Sequence, residues 1–203
     1  MHAVTFQAPH EIAVVEKPDP ELESPTDAIV RIDATGVCGS DLHIYHGRVQ
    51  IEPGFTIGHE YVGTVVAAGD AVTGVSVGDR VLGTFHSACG TCFFCRKGIY
   101  QKCDEARVFG HGKTLGSLQG TQAELALVPR ANLTLRRVPE GLSDGAALFA
   151  GDVMGHLDNV LAMMGAGVLD PTPLVTHEMK LEEAAEAYAI YDRHEALKIL
   201  LRT

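Results

Sequence analysis

Short runs in which apolar and polar residues alternate, or in which β-branched residues cluster, recur through the first two thirds of the chain. They predict strands over Ile12–Val15, Ala28–Ala34, Tyr61–Ala67, Arg80–Thr84 and Ala123–Val128. Turn-forming residues separate them: Pro18-Asp19-Pro20, Ala68-Gly69-Asp70, Gly74 and Gly78-Asp79. Many short strands with glycine turns predict a small barrel or sandwich. A short helix is expected over Asp41–His46, with Ser40 as its N-cap. The pattern then changes. Ser143 predicts the N-cap of a helix carrying Ala146, Ala147 and Leu148. Leu157–Met164 reads as a second helix, ended by Gly165. In Leu181–Tyr191, Leu181, Ala184, Ala185 and Tyr188 share one helical face. Ala196–Leu201 reads as a final strand. The expected class is mainly β with flanking short helices (α+β).

Of the 203 residues, 46% are hydrophobic and 21% charged, enough to bury one large core or two small ones. The formal net charge of -10 argues against a nucleic-acid partner, which needs a basic surface. The first residues lack a basic stretch followed by an apolar run, so no signal peptide is read. No apolar run reaches the length of a membrane span. A cytoplasmic protein is expected.

Four of the five cysteines change this picture. Cys89, Cys92, Cys95 and Cys103 follow the pattern Cys-x2-Cys-x2-Cys-x7-Cys. Two-residue gaps let a tight loop turn successive thiolates onto one tetrahedral ion, and Gly90 and Gly98 relieve the backbone in those turns. Zinc is favoured. Two disulfides or an iron–sulfur cluster stay open as alternatives.

The fifth cysteine stands in Cys38-Gly39-Ser40-Asp41-Leu42-His43, and Gly58-His59-Glu60 and Gly151-Asp152 follow later. Together Cys38, His59 and Asp152 would supply sulfur, nitrogen and oxygen to a zinc with one open position. Glu60 would support this site or alternate as a ligand. Asp41 would accept the other N–H of His59. A hydroxyl at Ser40 and an imidazole at His43 are what a proton relay needs. Each residue alone has a plainer reading, since a lone cysteine is more often a small buried hydrophobe. The remaining histidines, His2, His10, His46, His86, His111, His156, His177 and His194, show no partner in the sequence.

These segments resemble the zinc-dependent medium-chain alcohol dehydrogenases. The string Gly58-His59-Glu60-x2-Gly63-x5-Gly69-x4-Gly74-x3-Gly78-Asp79-Arg80-Val81 is similar to that family's signature, and Cys89 to Cys103 to its structural-zinc lobe. The resemblance runs over residues 1–154 and resumes near Gly167. It implies a GroES-like, partly open β-barrel with a structural zinc lobe. Two zinc ions per chain follow: one on the four cysteines, one catalytic ion on Cys38, His59 and Asp152. Ser40 and His43 would relay the proton of a small alcohol or aldehyde, and Asp41 and Glu60 would orient the ligands.

Members of that family carry a whole dinucleotide-binding domain after the third ligand. Between Asp152 and Asp170 this chain has 17 residues, too few for one βαβ unit of about 30. Gly165-Ala166-Gly167 lacks the third glycine of a nucleotide loop and is read as a helix C-cap. The expected organisation is a catalytic domain over 1–154 with its zinc lobe at 86–110, a bridge over 155–168, and a returning catalytic segment over 169–203. NAD(P) would bind weakly or not at all. Three activities are weighed: residual oxidoreductase, zinc-binding scaffold without turnover, and weak hydrolysis by zinc-bound hydroxide. Self-association is expected through apolar surface that the absent domain would cover.

Overall fold

The strand over Ala28–Val37 organises the molecule, because its buried positions Ala28, Val30, Ile32 and Ala34 alternate with more exposed ones before all positions from Ala34 to Val37 become buried. The computed structural model describes residues 1–153 and 156–203. In chain order its elements are β1 (His2–Ala8), β2 (Glu11–Glu16), β3 (Ala28–Val37), α1 (Gly39–Tyr45), β4 (Phe55–Thr56), β5 (Tyr61–Ala68), β6 (Arg80–Gly83), β7 (His86–Ser87), α2 (Phe93–Arg96), β8 (Arg107–Val108), β9 (Leu125–Val128), α3 (Ala131–Thr134), β10 (Leu135–Arg137), α4 (Asp144–Leu148), α5 (Leu157–Gly165), β11 (His177–Lys180), α6 (Ala184–Asp192) and β12 (Ile199–Arg202). The fold is mainly β with short helices around it.

The seven-stranded sheet runs β10-β6-β5-β3-β12-β11, with β9 also paired to β3. One edge of β3 takes β5. The other is shared, with β9 along Ala28–Arg31 and β12 along Ala34–Val37. The order leaves β10 and β11 at the two ends of the sheet, so the path does not close. A second sheet, β2-β1-β4, packs beside it. Val4, Phe6, Val37, Ile44, Tyr188 and Ile199 join the two in one apolar cluster.

Two registers position the site. Thr35 opposes Tyr61 in the β3/β5 ladder, so Cys38, just past the end of β3, faces His59 and Glu60, just before β5. Ile199 opposes Val37, which brings Lys198 beside the same corner. The turn Phe149–Asp152 is tied to the end of β6 by the Phe85 N–H donating to Gly151 O at 3.3 Å.

Several sequence expectations shift. The first helix begins two residues early, at Gly39, and its N-cap is Cys38 rather than Ser40. The reason is Asp41, whose carboxylate accepts the Cys38 N–H at 2.9 Å, while the Ser40 hydroxyl turns toward His59. Ser143 does cap α4, accepting from the Ala146 N–H at 3.2 Å. Gly165 is the last residue of α5, and the cap expected over Gly165-Ala166-Gly167 forms there. The stop comes at Ala166, with Gly167 left-handed at φ 69. The N–H groups of Gly167 and Val168 close onto Met164 O and Met163 O, the paired bonds of a Schellman cap. On α6 the buried face holds Ala187, and Ala185 is exposed. The last strand starts at Ile199. β1 escaped notice because Ala3 through Phe6 are all buried and show no period of two. β11 was also missed; its partner β12 runs parallel to it from a distant part of the chain. The expected boundary at residues 154 and 155 lies outside the described residues.

Candidate metal centres

The cysteine lobe hangs between β7 and β8. The sulfurs of Cys89, Cys92, Cys95 and Cys103 all lie within 4.8 Å of one another. Cys89 Sγ and Cys95 Sγ are 3.9 Å apart. A zinc ion with thiolates at about 2.3 Å has tetrahedral edges of roughly 3.8 Å, so the spacing fits one such ion. It is far beyond the roughly 2.05 Å of a disulfide, and all five cysteines are free. So compact a tetrad leaves no space for several irons. Gly90 and Gly98 do take positive φ, 76 and 74. Backbone N–H groups point at the sulfurs: Cys89 N to Cys103 Sγ at 3.1 Å, Cys92 N to Cys89 Sγ at 3.3 Å, Glu105 N to Cys103 Sγ at 3.3 Å. Donors from Thr91 and Cys92 lower the Cys89 thiol to about 6, toward the thiolate a metal requires. Burial pushes Cys95 the other way.

At the second site, one donor atom from each of Cys38, His59 and Glu60 lies within 4.8 Å of the other two. Ser40 Oγ is 3.3 Å from His59 Nε2. On the other side of the ring, His59 Nδ1 is 3.3 Å from Asp41 Oδ1, though both atoms are buried without an aligned hydrogen bond. Burial pulls the His59 pKa down, but Asp41, with Cys38 and Glu60, raises it well above a histidine's ordinary value. The floor of the site therefore favours positive charge, which suits a cation. A sulfur, a nitrogen and a carboxylate form a donor set that fits zinc.

Above this floor opens a pocket of about 360 Å³ lined by Cys38, Ser40, His59, Phe85, His111 and Asp152, among others. Asp152 thus faces the same space, outside the closer group of Cys38, His59 and Glu60. Burial raises the Asp152 carboxyl and the Glu60 carboxylate raises it further, to about 6. Because the residue as a whole is exposed, the charge on Glu60 is the firmer of the two causes. His43 is exposed on α1, one helical turn beyond Ser40, and does not itself line the pocket.

Two residues of this corner went unread in the sequence. His111 packs edge-on against His59 at 5.4 Å between ring centroids. Its Nδ1 sits 2.8 Å from Phe109 O, which makes that nitrogen the donor and leaves Nε2 free. The flanking glycines of Gly110-His111-Gly112 were its signal. Lys198 Nζ lies 2.7 Å from both carboxylate oxygens of Glu60; a single cation inside an apolar strand pattern was the clue. Tyr188 OH donates to Gln122 Oε1, and Gln122 Nε2 donates to Gly36 O, each at 2.9 Å, which binds α6 to the same corner. A separate cleft of about 370 Å³ holds none of the predicted site residues, and its Lys17 ammonium is already bonded to Gly54 O, Thr56 Oγ1 and Gln119 Oε1.

The seven-stranded sheet, the cysteine lobe and the Cys38–His59 corner define a class. The family described as "Alcohol dehydrogenase GroES-like domain" matches residues 24–140, more than half of the chain, and the chain belongs to it. It is 42% identical over 178 residues to the medium chain reductase/dehydrogenase ucsI of an Acremonium species, covering 86% of this chain and 60% of that protein. It is 36% identical over 153 residues to zinc-type alcohol dehydrogenase B of Aspergillus flavus, covering 75% of this chain and 35% of that one. The chain therefore spans only about a third to three fifths of the length of these curated relatives. Among solved structures, alcohol dehydrogenase TADH from Thermus sp. ATN1 superposes with a TM-score of 0.97 at 28% identity, covering 100% of this chain and 99% of that one. Among the described residues no helix is long and apolar enough to cross a membrane.

Proposed function

We propose that this chain is the zinc-binding catalytic domain of an alcohol dehydrogenase-type oxidoreductase that interconverts a small alcohol and aldehyde, with feeble turnover or none on its own. The observation that carries this reading is the convergence of Cys38, His59 and Glu60 at the base of a pocket that Ser40 and Asp152 also line. Two zinc ions per chain follow, one on the cysteine tetrad and one on Cys38, His59 and Asp152. Zinc in the second site would supply a Lewis acid for the substrate oxygen. Around it, Asp41 holds the His59 ring from Nδ1, Ser40 stands ready to exchange a proton near Nε2, and Phe85 and Leu115 keep the pocket wall apolar. Lys198 fixes the Glu60 carboxylate beside Cys38 and His59. The thiolate tetrad argues for a reducing compartment such as the cytoplasm.

What is missing is the positioning of a nicotinamide, and positioning accounts for much of the barrier reduction in such reactions. The 17 residues between Asp152 and Asp170 leave no space for a dinucleotide-binding domain. We read residues 1–154 and 169–203 as one catalytic domain joined by a bridge. This favours, as a second reading, a zinc-binding scaffold without turnover. Metal analysis should give about two zinc per chain, falling to about one in His59→Ala. A steady-state assay with NADH or NADPH and a small aldehyde separates the two readings. Turnover lost in Cys38→Ala supports the enzyme, and none above blank leaves the scaffold. An unchanged zinc content in both His59→Ala and Asp152→Ala sinks the second zinc site altogether.

A further inference from the structure

His10, His46 and Asp192 belong to neither zinc centre, yet three separate elements bring them together. His10 lies in the turn between β1 and β2, His46 is the C-cap of α1, and Asp192 is the last residue of α6. One donor atom from each stands within 4.8 Å of the other two. His46 Nε2 is 2.6 Å from Asp192 Oδ1, and the His10 and His46 rings are 5.1 Å apart. The other nitrogen of His46, Nδ1, is buried without a hydrogen-bond partner.

The backbone holds this cluster in place. The His10 N–H donates to Tyr45 O at 2.7 Å. The turn can approach α1 so closely because position 47 is glycine: a Cβ there would stand 2.7 Å from Pro9 Cγ. His10 itself adopts φ 63, a left-handed conformation that histidine, like asparagine and aspartate, takes more readily than most residues.

We propose that His10, His46 and Asp192 form a third metal site, for a first-row divalent ion of the zinc and nickel type. Two imidazoles and one carboxylate suit such ions and not calcium or magnesium, which prefer all-oxygen shells. The His46–Asp192 hydrogen bond carries one proton, which an incoming ion displaces as it takes both groups as ligands. His10 supplies the third donor, and because His10 is exposed, water completes the shell. The ion would clip the β1–β2 turn to the ends of α1 and α6.

The probe is nickel, applied by equilibrium dialysis to protein brought to two zinc per chain by dialysis against a weak chelator, with zinc and nickel counted in the same samples. The variants are His10→Asn, which tolerates the left-handed backbone, and His46→Gln. Wild type is expected to retain one nickel per chain more than either variant. Nickel should also raise its thermal midpoint and leave that of His10→Asn unmoved. Equal nickel uptake by all three proteins overturns the site, because the ion then rests on other exposed histidines. His10 is exposed, so His10→Asn leaves the core intact and keeps the comparison decisive.

Discussion

Both carboxylate oxygens of Glu60 lie 2.7 Å from the ammonium of Lys198, and the two side chains are 1% and 7% exposed. The Phe149 ring adds a face 5.2 Å from the same ammonium. Burial draws the Lys198 pKa down, and Glu60 more than reverses this, so the net direction is up. Removing one member of a buried pair leaves the other charged and unpaired, which costs about 3–5 kcal/mol. Lys198→Met should therefore lose stability on that scale in denaturant unfolding, and Lys198→Met with Glu60→Gln should recover most of it. A double variant as unstable as the single one would show that the pair is not the cause.

The same pair sets an alkaline limit. A lysine whose folded pKa exceeds its unfolded value of about 10.4 contributes stability in full below that pH and loses it as pH rises through the folded value. Unfolding free energy should fall above about pH 10.4 in wild type. That component of the decline should be absent from Lys198→Met, as read by denaturation at stepped pH.

Asp144 works at the opposite end of the pH scale. Burial raises its pKa, but hydrogen bonds from Arg80 and Arg202 outweigh this and hold the carboxyl below the usual range. Its stabilisation is present above the unfolded value of about 3.9 and is lost as pH falls through the lower folded value. The three side chains are partly solvated, so Asp144→Asn should cost only about 1 kcal/mol at neutral pH. Its acid unfolding curve should be flatter below about pH 4. An acid limb identical to wild type would count against the ion pairs.

The cysteine lobe has little apolar content of its own. The cluster around its thiols holds only Ala88, Cys95 and Cys103 as buried residues, backed by Leu133 and Tyr100. Metal should therefore supply most of its order. Cys92→Ser is expected to remove about one zinc per chain and to open residues 86–110 to limited proteolysis while the main sheet stays protected. Resistance equal to wild type in the zinc-free protein would show that the lobe folds without the ion.

Apolar side chains remain uncovered along the bridge and beyond it. Met163, Val168 and Leu169 are 45%, 72% and 38% exposed, and Leu174 and Leu197 are exposed as well. Surfaces of this kind favour association, and a second copy of the chain is the expected occupant. Light scattering should show mass rising with concentration, and Val168→Ser with Met163→Ser should suppress it. A monomer at every concentration would refute this.

Much of the site was legible before folding was considered, but unevenly. The cysteine tetrad was plain because its ligands lie close in the chain and need only local turns to meet. The strands with one buried face were readable from alternation. β1 was not, since burial on both sides erases the period. The helix over residues 39–45 was seen, but its cap was misplaced, because Ser40 and Asp41 are both good capping types and only the fold decides which turns to the backbone and which to His59.

The amino-acid order alone determined the family, the thiolate lobe and the donor types of the second centre, because these depend on residue identity and short spacing. Tertiary structure decided which donors meet: Glu60 with Cys38 and His59, Lys198 against Glu60, and His10 with His46 and Asp192. These encounters are set by the pairings of β3 with β5 and β12, and by the docking of α6. Strand offset is a relation between distant segments, settled by the whole core packing at once, and no local pattern encodes it.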